Sequence, residues 1–183
     1  HWKSVRTGGM GLVDDNQFGP PQPSEKPGAR YTAGYDKDPE DSGGYTENWT
    51  KLDEDAPLTG GLVVPKFLPA DPAILERLGT VDLDPTAQDD GIWYLLQDEV
   101  VPYDPALDTY LVGTVLPAVV IEGPFTGDRG DLPAGAEWRD GMWTLEVSRK
   151  LDTGSPYDVA LRPGEDVYLW VAAFNHTQTR HSQ

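Results

Sequence analysis

Histidines are the residues of this sequence best suited to chemistry, and two of the three lie near its C-terminal end. A strongly apolar run, residues 167–174, leads into a polar stretch that carries His176 and His181. Imidazole is the commonest side-chain metal ligand and titrates near neutral pH. A histidine at the mouth of a buried strand is therefore a candidate metal ligand or proton carrier, and a solvated turn residue is the alternative. His176 lies inside an Asn-X-Thr triplet, which favours the surface position for it.

The composition indicates a folded domain with an unusually acidic surface. A length of 183 residues suits one domain, and a hydrophobic content of 38% with six tryptophans is enough for a core. The net charge of -17 argues against a nucleic-acid partner, because phosphate binding needs a basic surface. It also argues against binding to an anionic membrane. The acids are spread along the chain, which favours adaptation to high salt, as in a halophile, over an acidic docking face for a cationic partner.

The chain has no cysteine, which excludes disulfides, thiolate metal sites and iron–sulfur clusters held by this chain. The triplets that begin at Asn48 and Asn175 fit N-glycosylation of an exported protein. No run approaches the roughly 20 apolar residues of a membrane helix, so no membrane span is predicted. The chain begins at His1 without a methionine or a signal peptide. We therefore expect a processed or partial chain whose N-terminal part is missing.

The hydrophobic pattern predicts an all-β fold: an antiparallel β-sandwich with long irregular loops and one or two short helices. We expect one domain over residues 1–183, in which residues 1–60 form a long ordered excursion, because disordered segments are poor in the aromatics found there. A short helix is predicted at residues 71–79, with Asp71 as N-cap, proline next and glycine at its end. The predicted strands are residues 61–68, 92–96, 110–115, 118–121, 138–148, 157–159 and 167–174.

Residues 138–148 predict a β-hairpin, because Asp140-Gly141 is a typical two-residue turn pair. In the strand that follows, Trp143, Leu145 and Val147 alternate with polar residues. Alternation of this kind is typical of a half-buried strand.

Three segments resemble the haem-binding domain of the ethylbenzene dehydrogenase family. Residues 138–151 are similar to that domain's W-x-D-G-x-W-x-[LV]-E-[FVL]-S-R-x-L hairpin, and residues 157–159 with 167–174 are similar to its next two strands. Residues 1–6, together with Asp14-Asp15, resemble its W-H-W-K-A-x-R…D-D stretch, cut after the first tryptophan. The resemblance covers most of the chain, although residues 20–90 match only in general character.

The resemblance implies a function in electron transfer. Members of the family hold a non-covalent haem b, iron protoporphyrin IX, between the sheets of a β-sandwich. They act as exported electron-transfer subunits and do not themselves catalyse substrate chemistry. The implied partners are the iron–sulfur and molybdopterin subunits of an oxidoreductase, or a soluble redox carrier. The implied location is periplasmic or extracellular.

The resemblance also implies a set of site residues. Family members use an axial methionine and an axial lysine, and His181 occupies the position of that lysine. The family methionine lies upstream of this chain, so the second iron ligand is either His1 or a residue of the missing segment. The implied pocket walls are Trp2, Trp143, Trp170 and Phe174, and the implied propionate partners are Lys3, Arg6 and Arg180. Core packing and ordinary surface ion pairs are the alternatives for these residues.

Other interpretations of the sequence remain. A secreted, aromatic-rich β-sandwich that binds carbohydrate or another ligand, without haem, would have a similar composition. The tripeptide Arg129-Gly130-Asp131 matches an adhesion motif but is better interpreted as a loop before the hairpin. The acids of residues 36–41 lack the ordered spacing of an EF-hand, which favours a solvated acidic loop over a Ca²⁺ site.

Overall fold

The computed structural model describes residues 1–20, 22–23, 25, 31–32, 34–51, 63–78 and 92–168. The predicted all-β class is confirmed, since strands account for 32% of the structure and short helices for 11%. The chain divides into two compact units, residues 1–149 and residues 150–183. The strands described below all belong to the first unit.

Short strands are the main elements of the first unit, and they pair into small sheets. The described strands are β1 (Asn16–Phe18), β2 (Gln22–Pro23), β3 (Tyr31–Thr32), β4 (Tyr35–Lys37), β5 (Gly44–Glu47), β6 (Thr50–Lys51), β7 (Val63–Val64), β8 (Phe67–Pro69), β9 (Leu95–Leu96), β10 (Val100–Pro102), β11 (Val119–Gly123), β12 (Ala134–Arg139) and β13 (Met142–Val147).

The core of this unit surrounds β11. Its residues Val119, Val120 and Ile121 are buried, as expected for a central strand without apolar–polar alternation. β11 pairs antiparallel with β5 and parallel with β9, so the sheets are not uniformly antiparallel. The remaining described pairs are all antiparallel: β1–β4, β2–β3, β6–β7, β8–β10 and β12–β13.

Short 3₁₀ helices connect the strands. The helix predicted at residues 71–79 is present as the 3₁₀ helix Pro72–Arg77. Its predicted N-cap is also present, because the Asp71 carboxylate accepts a hydrogen bond from the Ala73 N–H at 2.9 Å. The other described 3₁₀ helices are Gly8–Met10, Gln97–Glu99 and Asp128–Gly130.

The predicted hairpin is confirmed as β12 and β13, with Asp140-Gly141 as its turn. Both turn residues have positive φ angles, 52° at Asp140 and 78° at Gly141, as a type I′ turn requires. The turn sets Trp138 directly opposite Trp143, Ala136 opposite Leu145 and Ala134 opposite Val147.

Several predicted strands differ from the structure. Residues 110–115 form no strand, because the Leu111 carbonyl accepts the Thr114 N–H and closes a turn around Gly113, whose φ is 97°. The segment predicted at residues 61–68 contains two strands, β7 and the first part of β8, separated by Pro65 and Lys66. Of residues 92–96, only the two residues of β9 pair in a sheet.

In the second unit the structure describes residues 150–168. Residues 157–159, which the sequence predicts as a strand, lie in a turn and the segment after it. The Thr153 hydroxyl donates to the Asp158 carboxylate at 2.5 Å, and the Leu161 N–H donates to the Leu151 carbonyl at 2.6 Å. The strand predicted at residues 167–174 lies outside the described residues from Leu169 onward.

Candidate functional site

One face of the β12–β13 hairpin is entirely apolar. Residues opposite each other in an antiparallel pair point to the same side of the sheet. The face therefore consists of three cross-strand pairs, which we call the hairpin face: Ala134, Ala136, Trp138, Trp143, Leu145 and Val147.

The hairpin face is open to solvent. Trp143 is 44% exposed, Leu145 42% and Val147 49%. The half-buried strand predicted from the sequence would have its apolar face buried, so these side chains are more exposed than predicted. A contiguous exposed apolar surface on a folded protein is typical of a ligand-binding or protein-binding site.

The two tryptophans of this face pack with Trp2 of the N-terminal segment. The rings of Trp2 and Trp143 meet edge to face, with centroids 5.0 Å apart and planes at 67°. Trp138 lies beside Trp143 at 5.5 Å between centroids. Trp2 and Trp143 were both candidates from the sequence, and the structure brings them together. Trp138 was not a candidate, although its position opposite Trp143 across the Asp-Gly turn could have identified it.

The N-terminal segment reaches the hairpin because its backbone pairs with the start of β12. The Val13 N–H donates to the Leu132 carbonyl at 2.9 Å, and the Ala134 N–H donates to the Gly11 carbonyl at 2.8 Å. Further back, Gly9 lies against the core, where a Cβ would stand 2.7 Å from Ile121 and from Tyr94. Glycine at this position therefore lets the segment approach closely enough to place Trp2 against Trp143.

Lys3 and Arg6 have different environments. The Arg6 guanidinium donates to the Tyr45 hydroxyl at 3.2 Å, lies over the Tyr45 ring and pairs with Glu47 at 3.5 Å. Lys3 is exposed, and within the described residues its ammonium makes no ion pair. Partial burial, and then the positive charge of Arg6, lower the pKa of Lys3. Of these two cations, Lys3 is the one without an ion pair among the described residues, whereas Arg6 is already engaged.

The remaining predicted site residues fall into two groups. His1, which precedes Trp2 in the chain, is exposed. Its backbone nitrogen donates to the Asp14 carbonyl at 2.6 Å. The other predicted residues lie outside the described part of the chain: Trp170, Phe174, Arg180 and His181.

A buried arginine joins three segments near the N-terminal segment. Arg129 is only 3% exposed, and its guanidinium contacts the Asp14 carboxylate through two nitrogens, at 2.6 and 3.1 Å. It also donates to Glu40 at 3.1 Å and lies 3.8 Å above the centre of the Phe125 ring. A side chain held in this way cannot be presented to a receptor, so an adhesion role for the tripeptide is not supported, and Arg129 and Gly130 lie in the 3₁₀ helix Asp128–Gly130 and not in an irregular loop.

Two sequence expectations about polar residues need correction. Asn48 is 3% exposed, and its amide bonds to the Pro117 carbonyl at 3.0 Å and to the Phe67 N–H at 2.8 Å. The amide is therefore not available for glycosylation in the folded protein. Asp38 is also buried, so the acids of residues 36–41 do not all lie in a solvated loop.

Comparison with known proteins confirms the resemblance seen in the sequence. The family model described as ethylbenzene dehydrogenase matches residues 1–183. Neither the curated proteins nor the solved structures give a match. Among the described residues, no helix has the length and apolar character needed to cross a membrane.

Proposed function

The chain belongs to the ethylbenzene dehydrogenase family, and on this premise we propose that it is an electron-transfer subunit that holds haem b on the hairpin face. Membership of the family implies association with the subunits of a molybdoenzyme complex. The proposed role is the passage of single electrons to or from an iron–sulfur subunit or a soluble redox carrier. The observation that carries the proposal is the exposed hairpin face with Trp2 against Trp143.

The shape and polarity of the hairpin face suit a porphyrin, which is flat, apolar over both faces and carries two carboxylates along one edge. Six residues of each strand span about 17 Å, enough to lie along a macrocycle. Covering the exposed parts of Trp143, Leu145 and Val147 contributes about 25 cal/mol for each Å² of apolar surface removed from water. Trp2 stands edge-on to Trp143 and would form a side wall.

Lys3 is the residue that we propose to bind a propionate. It is adjacent to Trp2 in the chain, and its ammonium has no ion pair among the described residues. A charge-assisted hydrogen bond to a carboxylate is stronger than one between neutral groups. It would also favour the charged form of Lys3, against the partial burial that now lowers its pKa.

We propose His181 and His1 as the residues that would ligate the iron. Imidazole nitrogen suits iron, and His181 occupies the position of the family's ligating lysine in the sequence. His1 is adjacent in the chain to Trp2, whose ring packs against Trp143 of the hairpin face. The haem supplies one-electron redox chemistry, and the chain sets its potential through ligands, burial and hydrogen bonding.

The proposal makes the chain an electron-transfer component without catalysis of its own, acting in the periplasm or outside the cell. The proposed location follows from the family and gains no support from Asn48, because that amide is buried. Trp170, Phe174 and Arg180 are proposed as further pocket residues on the basis of the family pattern alone.

The test is titration of the purified protein with hemin, followed by absorption spectroscopy. We expect a Soret band that shifts on reduction, and a pyridine haemochrome spectrum typical of haem b. Trp143→Ala should weaken hemin binding at least tenfold, whereas Thr144→Ala, on the opposite face of the same strand, should leave it unchanged. His181→Ala should abolish or strongly alter the Soret band. A protein that stays colourless with hemin would contradict the proposal.

The exposed ring of Trp143, packed beside two half-buried tryptophans, also favours a second candidate, a carbohydrate-binding module. Sugar rings stack on exposed aromatic side chains, and Trp143 with Trp2 and Trp138 offers such a surface. This alternative predicts retention on an immobilised polysaccharide, loss of that retention in Trp143→Ala, and no hemin binding. The two candidates therefore give opposite results with hemin.

A further inference from the structure

A second exposed apolar surface lies away from the hairpin in the sequence, on the connection between β10 and β11. We call residues 103–117 the acidic loop. Leu111 is 84% exposed, Val112 is fully exposed, and Leu107 and Val115 are 53% and 41% exposed. Four large apolar side chains on one connection are costly to leave in water unless another surface covers them.

The acidic loop is preformed. At its start the Tyr103 N–H donates to the Lys66 carbonyl at 2.8 Å, and at its end the Pro117 carbonyl accepts the buried Asn48 amide. Within it, the Asp104 carboxylate accepts the Ala106 N–H at 2.8 Å and the Leu111 carbonyl accepts the Thr114 N–H at 3.0 Å. A surface ordered before binding loses less conformational entropy when a partner covers it.

The only charged side chains within the acidic loop itself are negative. Asp104 and Asp108 are exposed, and residues 103–117 contain no lysine or arginine. The Tyr103 hydroxyl donates to Asp108 at 3.5 Å. Partial burial, and then the charges of Asp108 and Asp71, raise the pKa of Tyr110. Lys66 contributes one positive charge at the base of the loop.

We propose that the acidic loop is the docking surface for a protein partner whose contact surface has an apolar centre ringed by lysine and arginine. Apolar residues at the centre with charged residues at the rim are the usual anatomy of a protein interface. The net charge of -17 attracts a cationic partner over long distances, and the local carboxylates orient it. The proposal requires no haem, so it stands independently of the proposed function.

The experiment measures binding of a lysine-rich c-type cytochrome, used as a probe of this surface chemistry, by titration calorimetry at several salt concentrations. Asp104→Asn/Asp108→Asn should weaken binding about tenfold at about 0.01 M salt and flatten the salt dependence. The matched control, Glu25→Gln/Glu122→Gln, removes two exposed acids elsewhere and should change binding less than about twofold.

The apolar part is tested separately at about 0.15 M salt, where exposed charges are more strongly screened. Leu111→Ser/Val112→Ser should weaken binding about tenfold. Phe18→Ser, which removes another exposed apolar side chain in β1, should have no effect. Equal losses from the two acid pairs, an unchanged affinity in Leu111→Ser/Val112→Ser, or no binding at low salt would each overturn the proposal. Because calorimetry detects the complex and not electron transfer, failure here leaves the haem proposal intact.

Discussion

Asn48 joins three segments of the chain through one buried amide. Its side chain accepts the Phe67 N–H of β8 and donates to the Pro117 carbonyl ahead of β11, while its own N–H donates to the Ala118 carbonyl. Each of the two side-chain bonds satisfies a backbone group that has little access to water. Asn48 therefore has a structural role, and its Asn-X-Thr triplet is incidental.

We predict that Asn48→Ala lowers the free energy of unfolding by about 2–3 kcal/mol, because it leaves the Phe67 N–H and the Pro117 carbonyl without partners. Urea denaturation measures this loss. Thr50→Ala is the matched control, since it destroys the triplet but leaves the amide in place, and it should cost about 0.5 kcal/mol or less. Equal losses in the two variants, or a glycan on Asn48 of the folded protein, would contradict this role.

The ion pair between Arg77 and Glu99 predicts how the free energy of unfolding changes with pH. The Arg77 guanidinium hydrogen-bonds both carboxylate oxygens of Glu99, and this contact, partly offset by burial, holds the pKa of Glu99 below its ordinary 4.5. The folded protein thus binds this proton less readily than the unfolded chain. The resulting stabilisation is full above pH 4.5 and is lost as the pH falls through the lowered pKa.

The measurement compares the free energy of unfolding of the wild type and Glu99→Gln at successive pH values. We expect a difference that is constant near neutrality and shrinks below pH 4.5. Glu76→Gln, an exposed glutamate in the helix that carries Arg77, is the control and should show no such change. A difference that persists unchanged in acid would show that the ion pair does not contribute in this way.

Among the secondary-structure elements, the β12–β13 hairpin determines the position of the candidate site, and its turn sets the register of the two strands. Gly141 has φ 78°, a conformation that costs a residue with a Cβ roughly 1–2 kcal/mol. We predict that Gly141→Ala speeds hydrogen exchange of the β12 and β13 amides about tenfold and weakens hemin binding. Gly135→Ala is the control within the same hairpin, because a Cβ there meets nothing within 4 Å. If both variants behave alike, the turn conformation is not what holds the face in place.

The hairpin was predictable from the sequence because its determinants are local: an Asp-Gly pair and two strands joined directly by it. The strand predicted at residues 110–115 was wrong because an apolar run becomes a strand only when a partner strand is available, and that depends on distant parts of the chain. The contact between Trp2 and Trp143 likewise depends on parts of the chain that are distant in sequence. It depends on Gly9 approaching the core, which hydrophobic periodicity does not report.

At the scale of the whole molecule, the acidic charge is only partly neutralised by close ion pairs. Arg129 and Arg77 each hold carboxylates in the first unit, whereas many other acids are exposed. Exposed like charges repel, and salt shortens the range of that repulsion from about 10 Å at 0.1 M to about 3 Å at 1 M. The composition alone predicted an acidic surface, but which acids are paired or buried depends on tertiary contacts.

We therefore predict that the protein becomes more stable as sodium chloride is raised, as adaptation to a saline environment would require. If screening contributes about 2 kcal/mol, the melting temperature should rise roughly 4–8 °C between 0.1 M and 1 M salt. A variant with four exposed acids replaced by their amides, at Asp36, Asp41, Glu122 and Glu146, should start from a higher melting temperature and respond less to salt. Sucrose strengthens apolar burial without screening charge, so it should raise the melting temperatures of both proteins equally. This comparison separates charge screening from general stabilisation by an added solute. A wild-type melting temperature that is flat or falls with salt would mean that repulsion among these carboxylates is not what limits stability, and the acidic composition would then need a different explanation.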